Sequence, residues 1–242
     1  MTAIRSLAFN LAFFLWTALA MIAFLPVLLM PYGATYWFGR QWVRVSLWFL
    51  KHLVGLDHRV VGLEHARRGP AIYAAKHQSS WDTLIFALYL HLPAYVLKRE
   101  LLFLPLFGFY LRKAGHIAVD RSAGASALKR MLAAAKLRRD QGRDILIFPE
   151  GTRVAVGSHR PFQPGVAALY GQLDLPVVPV ALNSGLYWGR RSFHKKPGTI
   201  TLEFLPAIPP GLPRRAFMAE LEKRLEAASM RLAKVETDGA SR

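Results

Sequence analysis

The 242-residue sequence contains no cysteine and only 15 acidic residues. Without cysteine, the chain has no disulfide framework, no thiolate metal site and no cysteine nucleophile. Only one apolar stretch is long enough to span a bilayer, which excludes a polytopic transporter. The 32 lysines and arginines give a net charge of +17, and a hydrophobic fraction of 53% excludes a disordered chain. These properties predict one compact domain with an anionic partner, either nucleic acid or an anionic membrane surface.

The apolar stretch lies at the amino terminus, where residues 6–39 contain no charged side chain and no histidine. Pro26 and Pro31 interrupt it, and proline does not continue a regular helix. We therefore predict a helix over residues 7–25, a turn, and a second helix from about Tyr36. The helices form either a membrane anchor that dips into the bilayer and returns, or a single span.

The second predicted helix carries a narrow basic stripe of Arg40, Arg44 and Lys51, flanked by tryptophans. Aromatic rings and long basic side chains are typical of the lipid headgroup boundary. We accordingly divide the chain into an N-terminal two-helix membrane anchor over residues 1–56, a globular domain over 57–236 and a flexible tail over 237–242.

After residue 57, short apolar runs alternate with helical stretches, a pattern that predicts an α/β fold with a layered central sheet flanked by helices. Most runs are continuously apolar, as expected of strands that are covered on both faces. The predicted strands are residues 71–76, 94–98, 116–120, 144–148, 176–182 and 199–205. The predicted helices are residues 80–91, 124–139, 165–173 and 214–235, the last with Phe217, Leu221, Leu225 and Leu232 on one face.

A histidine and an aspartate, His77 and Asp82, follow the first of these strands. Ser79 or Ser80 is a suitable N-cap for the next helix, which puts Asp82 in the first turn, where its carboxylate can reach back to the loop. His77 is then a candidate general base, with Asp82 fixing its tautomer. The alternative is a structural histidine beside an ordinary helix-capping aspartate.

A second motif, FPEGTR at residues 148–153, ends another predicted strand. Proline and glycine expose backbone N–H groups in the turn, and the planar guanidinium of Arg153 suits a phosphate. The alternative is a strand-ending turn that is closed by a local Glu150–Arg153 pair.

Two further basic residues, Lys98 and Arg121, stand at the ends of predicted strands. Sites in open α/β sheets form beyond the carboxyl ends of the strands, so these cations are expected to converge with His77 and Arg153. Each is alternatively a solvated surface cation.

Together these residues resemble the bacterial 1-acyl-sn-glycerol-3-phosphate acyltransferases of the glycerophospholipid acyltransferase family. His77 to Asp82 matches the HX4D motif of that family, and the similarity covers about residues 73–184 in addition to the N-terminal anchor. The motifs that follow in the same order are KREL at 98–101, VDR at 119–121, FPEGTR at 148–153 and VPV at 178–180. One departure is Gln163, where many relatives have lysine.

The resemblance implies transfer of a fatty acyl group from acyl-ACP or acyl-CoA to the sn-2 hydroxyl of lysophosphatidic acid, forming phosphatidic acid. It implies that His77 is the base and Asp82 its orienting partner, without a metal or a resident cofactor. The implied substrate-binding residues are Lys98 and Arg153 for the phosphate, Arg121 for added positive charge, and Glu150, Gly151 and Thr152 for the shape of the pocket.

The implied partners are an anionic phospholipid membrane, lysophosphatidic acid, and acyl carrier protein or a CoA thioester, with no nucleic acid. The expected location is the bacterial inner membrane, with the catalytic domain at the cytoplasmic face, because the basic bulk of the chain follows the apolar segment. N–H groups at the start of the helix after His77, or in the loop that precedes this helix, are candidate donors to the thioester oxygen.

Two alternatives stay open at this point. The same chemistry suits another acceptor: glycerol-3-phosphate, another lysophospholipid or a lyso-aminolipid. A basic membrane-binding or nucleic-acid-binding module without enzymatic activity would explain the charge but not the two motifs.

Overall fold

The computed structural model describes residues 1–66 and 69–239, which form a seven-stranded mixed sheet between two layers of helices. The strands are β1 Leu56–Val61, β2 Ile72–Ala75, β3 Ala94–Lys98, β4 Ile117–Val119, β5 Ile145–Ile147, β6 Val177–Leu182 and β7 Gly198–Phe204. The helices are α1 Thr2–Ala23, α2 Tyr32–Phe49, α3 Asp82–Tyr89, α4 Phe107–Lys113, α5 Gly124–Asp140, α6 Pro164–Leu173 and α7 Arg214–Gly239.

The strand order in the sheet is β1-β7-β6-β2-β5-β3-β4. Strands β6, β2, β5, β3 and β4 are parallel, and β7 joins β6 in the antiparallel sense while pairing in parallel with β1. The carboxyl ends of β2, β5, β3 and β4 therefore lie along one edge of the sheet, which is where ligands bind in open α/β sheets.

Both faces of the central strands are buried, as their continuous apolar runs predict. Along β2, Tyr73 and Ala75 face the core under α1, α2 and α3, whereas Ile72 and Ala74 face the core under α5, α6 and α7. This alternation follows from the two-residue period of a strand. The predicted apolar face of α7 is also confirmed, since its four residues are 0–5% exposed.

The N-terminal helices pack directly on the sheet domain. Phe9 of α1 and Val43 and Leu47 of α2 belong to the same buried cluster as the sheet residues. The predicted boundary near residue 56 therefore marks a change of secondary structure rather than a gap between two cores. The helix α2 begins at Tyr32, four residues before the predicted start, because Pro31 is placed at its N-cap, where proline costs no helical hydrogen bond.

One buried lysine attaches α1 to the domain. Lys195 is 2% exposed, and its ammonium group donates to the side chain of Asn10 and lies near three aromatic rings. Its backbone exchanges two hydrogen bonds with the Ser6 hydroxyl. Burial lowers the pKa of Lys195 to about 8.

The opposite side of α1 is exposed and apolar: Leu7, Leu11, Phe14, Leu15, Leu19 and Ile22 are 48–67% exposed. Among the described residues, Thr2–Ala23 is the one helix that is long and apolar enough to cross a membrane. It is an apolar surface that favours membrane association.

Strand β1 and helix α4 were not predicted from the sequence. The edge strand β1 carries charged residues and is only partly buried, so it lacks a continuous apolar run. Helix α4 has seven residues, too few to show a helical period. Residues 237–239 of the predicted flexible tail lie in α7, and residues 240–242 lie outside the described residues.

Candidate active site

The site is built around a histidine and an aspartate that are joined by a hydrogen bond. His77 lies just beyond the carboxyl end of β2, and its Nδ1 is 3.0 Å from Oδ2 of Asp82, the first residue of α3. The histidine side chain is 12% exposed and the aspartate is fully buried. Because the carboxylate accepts the Nδ1 hydrogen, Nε2 carries the lone pair that can take a proton.

Four hydrogen bonds fix the Asp82 carboxylate. Besides His77, its Oδ2 accepts the backbone N–H groups of Gln78 and Ser79 at 2.6 and 2.7 Å. Its Oδ1 accepts the Ser184 hydroxyl at 2.6 Å. The loop between β2 and α3 thus wraps around the Asp82 carboxylate.

The expected serine N-cap is wrong in detail, since α3 begins one residue after Trp81 without a side-chain cap. Ser79 instead accepts the N–H of Trp81 within the loop. The N–H groups of Gln78, Ser79 and Trp81 are therefore occupied by side-chain oxygens, so these three are not donors to a thioester oxygen as the sequence suggested.

Residues of the FPEGTR segment and Val154 also contact the ring and the backbone of His77. Its ring stacks on Phe148 with 4.1 Å between ring centroids. Its backbone N–H donates to Glu150 Oε2 at 3.1 Å, and its carbonyl accepts the N–H of Val154 at 2.7 Å. The FPEGTR segment therefore positions the histidine as well as forming its own loop.

His77 lines a cavity of about 970 Å³, within the usual range for small-molecule sites. Five of the other predicted site residues line the same cavity: Lys98, Arg121, Gly151, Thr152 and Arg153. They come from the ends of β3, β4 and β5, which is the convergence that the parallel sheet predicts.

Asp82 and Glu150 do not line the cavity: Asp82 lies behind His77, and Glu150 differs from the other predicted substrate-binding residues. Glu150 is fully buried, and its carboxylate binds Lys76 instead of forming the alternative pair with Arg153. Within the described residues its contribution to the pocket is therefore indirect, through the backbone of His77.

The cations around the cavity have no hydrogen-bond acceptor in the described part of the chain. This holds for Lys98, Arg121 and Arg153 and for Arg190 and Arg191, which line the cavity too and were not predicted. Burial lowers the pKa of Arg153, an effect opposed by the Asp82 carboxylate and reinforced by Arg190. Burial likewise lowers the pKa of Arg121. Such a cluster attracts an anion strongly.

The turn at Gly151 brings two of the site segments close together. Gly151 has a φ of +69°, and a Cβ at this position would lie 3.1 Å from the Gln163 side chain and 3.8 Å from the Arg121 guanidinium. Glycine therefore permits both the backbone conformation and the close approach.

The remaining cavity wall is mostly apolar and comes largely from helices. It includes Met21 of α1, Phe38 and Trp42 of α2, Leu84 of α3 and Tyr110 of α4. A polar, cationic group and a long apolar wall in one cavity suit an amphiphile. Among the described residues, no group of three or more histidines, aspartates and glutamates is placed to hold a metal ion.

Residues 57–183 match the family model described as Acyltransferase. A 1-acyl-sn-glycerol-3-phosphate acyltransferase of Pseudomonas aeruginosa is 37% identical over 93% of this chain and 88% of its own length. This chain belongs to the acyltransferase family. The sheep 1-acyl-sn-glycerol-3-phosphate acyltransferase alpha is 31% identical over 78% of this chain and 68% of its own length.

The fold of this acyltransferase is similar to a solved one. The crystal structure of the 1-acyl-sn-glycerophosphate acyltransferase PlsC from Thermotoga maritima has a TM-score of 0.78, covering 96% of this chain and 98% of that one. With 19% identity, this likeness shows the predicted layered sheet with flanking helices.

Four residues of this site were not predicted from the sequence: Lys76, Ser184, Arg190 and Arg191. Ser184 follows β6, the neighbour of β2, so the rule about carboxyl ends of parallel strands offered a signal for it. Arg190 carried a weaker signal as one of a pair of arginines beyond the same strand. Lys76 gave none, because it stands at the end of an apolar strand and its partners are distant in sequence.

Proposed function

We propose that this acyltransferase transfers a fatty acyl group from acyl-ACP or acyl-CoA to the sn-2 hydroxyl of lysophosphatidic acid, giving phosphatidic acid. The names of its relatives support this acceptor. The observation that carries the proposal is the 3.0 Å His77–Asp82 hydrogen bond in a cavity whose cations have no hydrogen-bond acceptor in the described part of the chain.

In the proposed reaction, Nε2 of His77 takes the proton of the sn-2 hydroxyl while the oxygen attacks the thioester carbonyl carbon. The C–O bond forms, the C–S bond breaks, and the imidazolium returns its proton to the leaving thiolate. Asp82 keeps the imidazole in the required tautomer and stabilises its positive charge. A positioned general base of this kind contributes about 10²–10⁴ in rate.

Lys98 and Arg153, with Arg121 beside them, are the proposed phosphate-binding residues. A phosphomonoester dianion would supply the acceptors that these cations lack among residues 1–66 and 69–239. This requirement favours lysophosphatidic acid or glycerol-3-phosphate over acceptors without a terminal phosphate, and the apolar wall favours the acyl-bearing one.

The proposed location is the inner membrane, with the cavity at the cytoplasmic face. The exposed apolar face of α1 would lie in the acyl region, and the exposed rings of Trp37 and Trp48 on α2 would lie at the headgroup boundary. Trp16 of α1 donates to the backbone of Trp42, and Tyr110 of α4 donates to the backbone of Met21. These contacts hold α1 against the domain and favour an anchor that dips in and returns.

The test is an assay of purified protein in anionic vesicles, with lysophosphatidic acid, glycerol-3-phosphate and a lyso-aminolipid as acceptors and acyl-CoA or acyl-ACP as donors. We expect lysophosphatidic acid to be the preferred acceptor and His77→Ala to lower kcat by about 10²–10⁴. The matched control is His65→Ala, because His65 lies outside the cavity lining.

Wild-type turnover by His77→Ala would remove the general-base assignment. Preference for glycerol-3-phosphate or the lyso-aminolipid would change the acceptor. Salt-sensitive binding to DNA without acyl transfer would favour the non-enzymatic alternative.

A further inference from the structure

A buried lysine stands directly before the proposed base. The Lys76 side chain is 4% exposed, and its ammonium group lies 2.5 Å from Glu150 Oε1 and 2.7 Å from Glu226 Oε1. Glu150 is fully buried, and Glu226 of α7 is 22% exposed. One cation thus bridges two carboxylates that come from opposite parts of the chain.

Glu150 connects this bridge to the active site. While Oε1 binds Lys76, Oε2 accepts the backbone N–H of His77 at 3.1 Å. Burial raises the pKa of the Glu150 carboxyl, and the Lys76 ammonium opposes that shift. The lysine therefore binds one oxygen of a buried carboxylate whose other oxygen accepts the backbone N–H of His77.

We propose that Lys76 and Glu226 are positioning residues, which hold Glu150 against the His77 backbone so that α7 fixes the imidazole in the cavity. Neither residue lines the cavity, so both act through another group. The inference rests on the proposed function only for the role of His77.

Energetics supports a geometric role for this network. Lys76 and Glu150 form a buried ion pair, and an apolar pair of similar volume is usually at least as stable as such a pair. What an apolar pair lacks is an acceptor for the His77 N–H. Hydrogen bonds to charged groups also restrict distance and angle more tightly than apolar contacts do, which suits a network that orients the His77 backbone.

The experiment compares two Glu→Gln variants on α7. Glu226→Gln keeps the shape and removes the charge at a partly exposed position, so the chain is expected to fold. The matched control is Glu222→Gln, one helical turn earlier, where the carboxylate pairs with the exposed His159. We expect kcat to fall about fivefold in Glu226→Gln, with the KM for lysophosphatidic acid unchanged, and no change in Glu222→Gln.

Amide hydrogen exchange gives a readout that does not depend on activity. The N–H of His77 should exchange faster in Glu226→Gln than in Glu222→Gln, because Glu150 is less firmly held. In addition, Lys76→Gln and the double variant Lys76→Gln/Glu226→Gln should have similar kcat. Lys76→Gln already disrupts the network through which Glu226 acts, so the second substitution adds no further loss.

Equal kcat and equal His77 exchange in the two folded Glu→Gln variants would overturn the inference. Full additivity in the double variant would do the same. If His77→Ala is inactive in the same assay, such a result leaves the proposed function intact. If His77→Ala is active, the general-base assignment fails, and the exchange comparison still decides whether the network holds the His77 backbone.

Discussion

The two halves of the active site differ in how complete they are without substrate. The His77–Asp82 half is fully bonded, with four hydrogen bonds on one carboxylate and a stacked ring on the imidazole. The cationic half presents Lys98, Arg121 and Arg153 without an acceptor in the described residues. The His77–Asp82 half is therefore preorganised for catalysis, whereas the hydrogen bonds of the cationic half are completed only when an anion binds. Changes in the first half should alter kcat, and changes in the second should alter KM.

The largest effect is expected from Asp82→Asn. An amide in place of the carboxylate no longer stabilises the imidazolium and permits the wrong tautomer, so we expect kcat to fall about 10³–10⁴-fold. The KM for lysophosphatidic acid should stay within about threefold, because Lys98, Arg121 and Arg153 all remain in the cavity lining. Steady-state rates on protein with unchanged circular dichroism provide the measurement. A loss confined to KM would contradict the comparison between the two halves.

The next largest effect is expected from Arg153→Ala or Lys98→Ala. Each loses one charge-assisted contact to phosphate, so the KM for lysophosphatidic acid should rise about 10–100-fold, with a smaller change in kcat. Arg224→Ala is the matched control, since Arg224 pairs with Glu220 on α7 and does not line the cavity. An unchanged KM in both cavity variants would remove the phosphate-binding assignment.

The smallest effect is expected from Ser184→Ala. This change removes one of the four donors to Asp82 and leaves the His77 contact in place, so kcat should fall about three- to tenfold with little change in KM. Ser192→Ala is a suitable control, because its hydroxyl donates to a backbone carbonyl in an exposed turn. A loss as large as that of Asp82→Asn would show that the carboxylate depends on this single donor.

Much of the fold was predictable because strands that are buried on both faces have continuous apolar runs in the sequence. The six apolar runs all form strands, and the order of strand and helix predicts where the carboxyl ends meet. The strand β1 was not predictable in the same way, since half-buried edge residues mix charged and apolar side chains. Its place depends on pairing with β7, about 140 residues later in the chain.

The candidate site shows the same limit. His77 and Asp82 are close in sequence, so local helix geometry alone allowed the prediction that they meet. Lys76 and Glu226 are 150 residues apart, and their contact depends on how α7 packs against the sheet. A local motif carries no information on such a contact, so the network behind the imidazole appears only in three dimensions.

The attachment of α1 through Lys195 bears on how the enzyme can be handled. A shortened chain that lacks this helix would leave an ammonium group without its asparagine acceptor and would uncover Phe9's neighbours in the core. Deletion of the apolar amino terminus to obtain a water-soluble preparation would thus disrupt the packing of the catalytic domain. Kinetic measurements are better made on the full chain in detergent or nanodiscs.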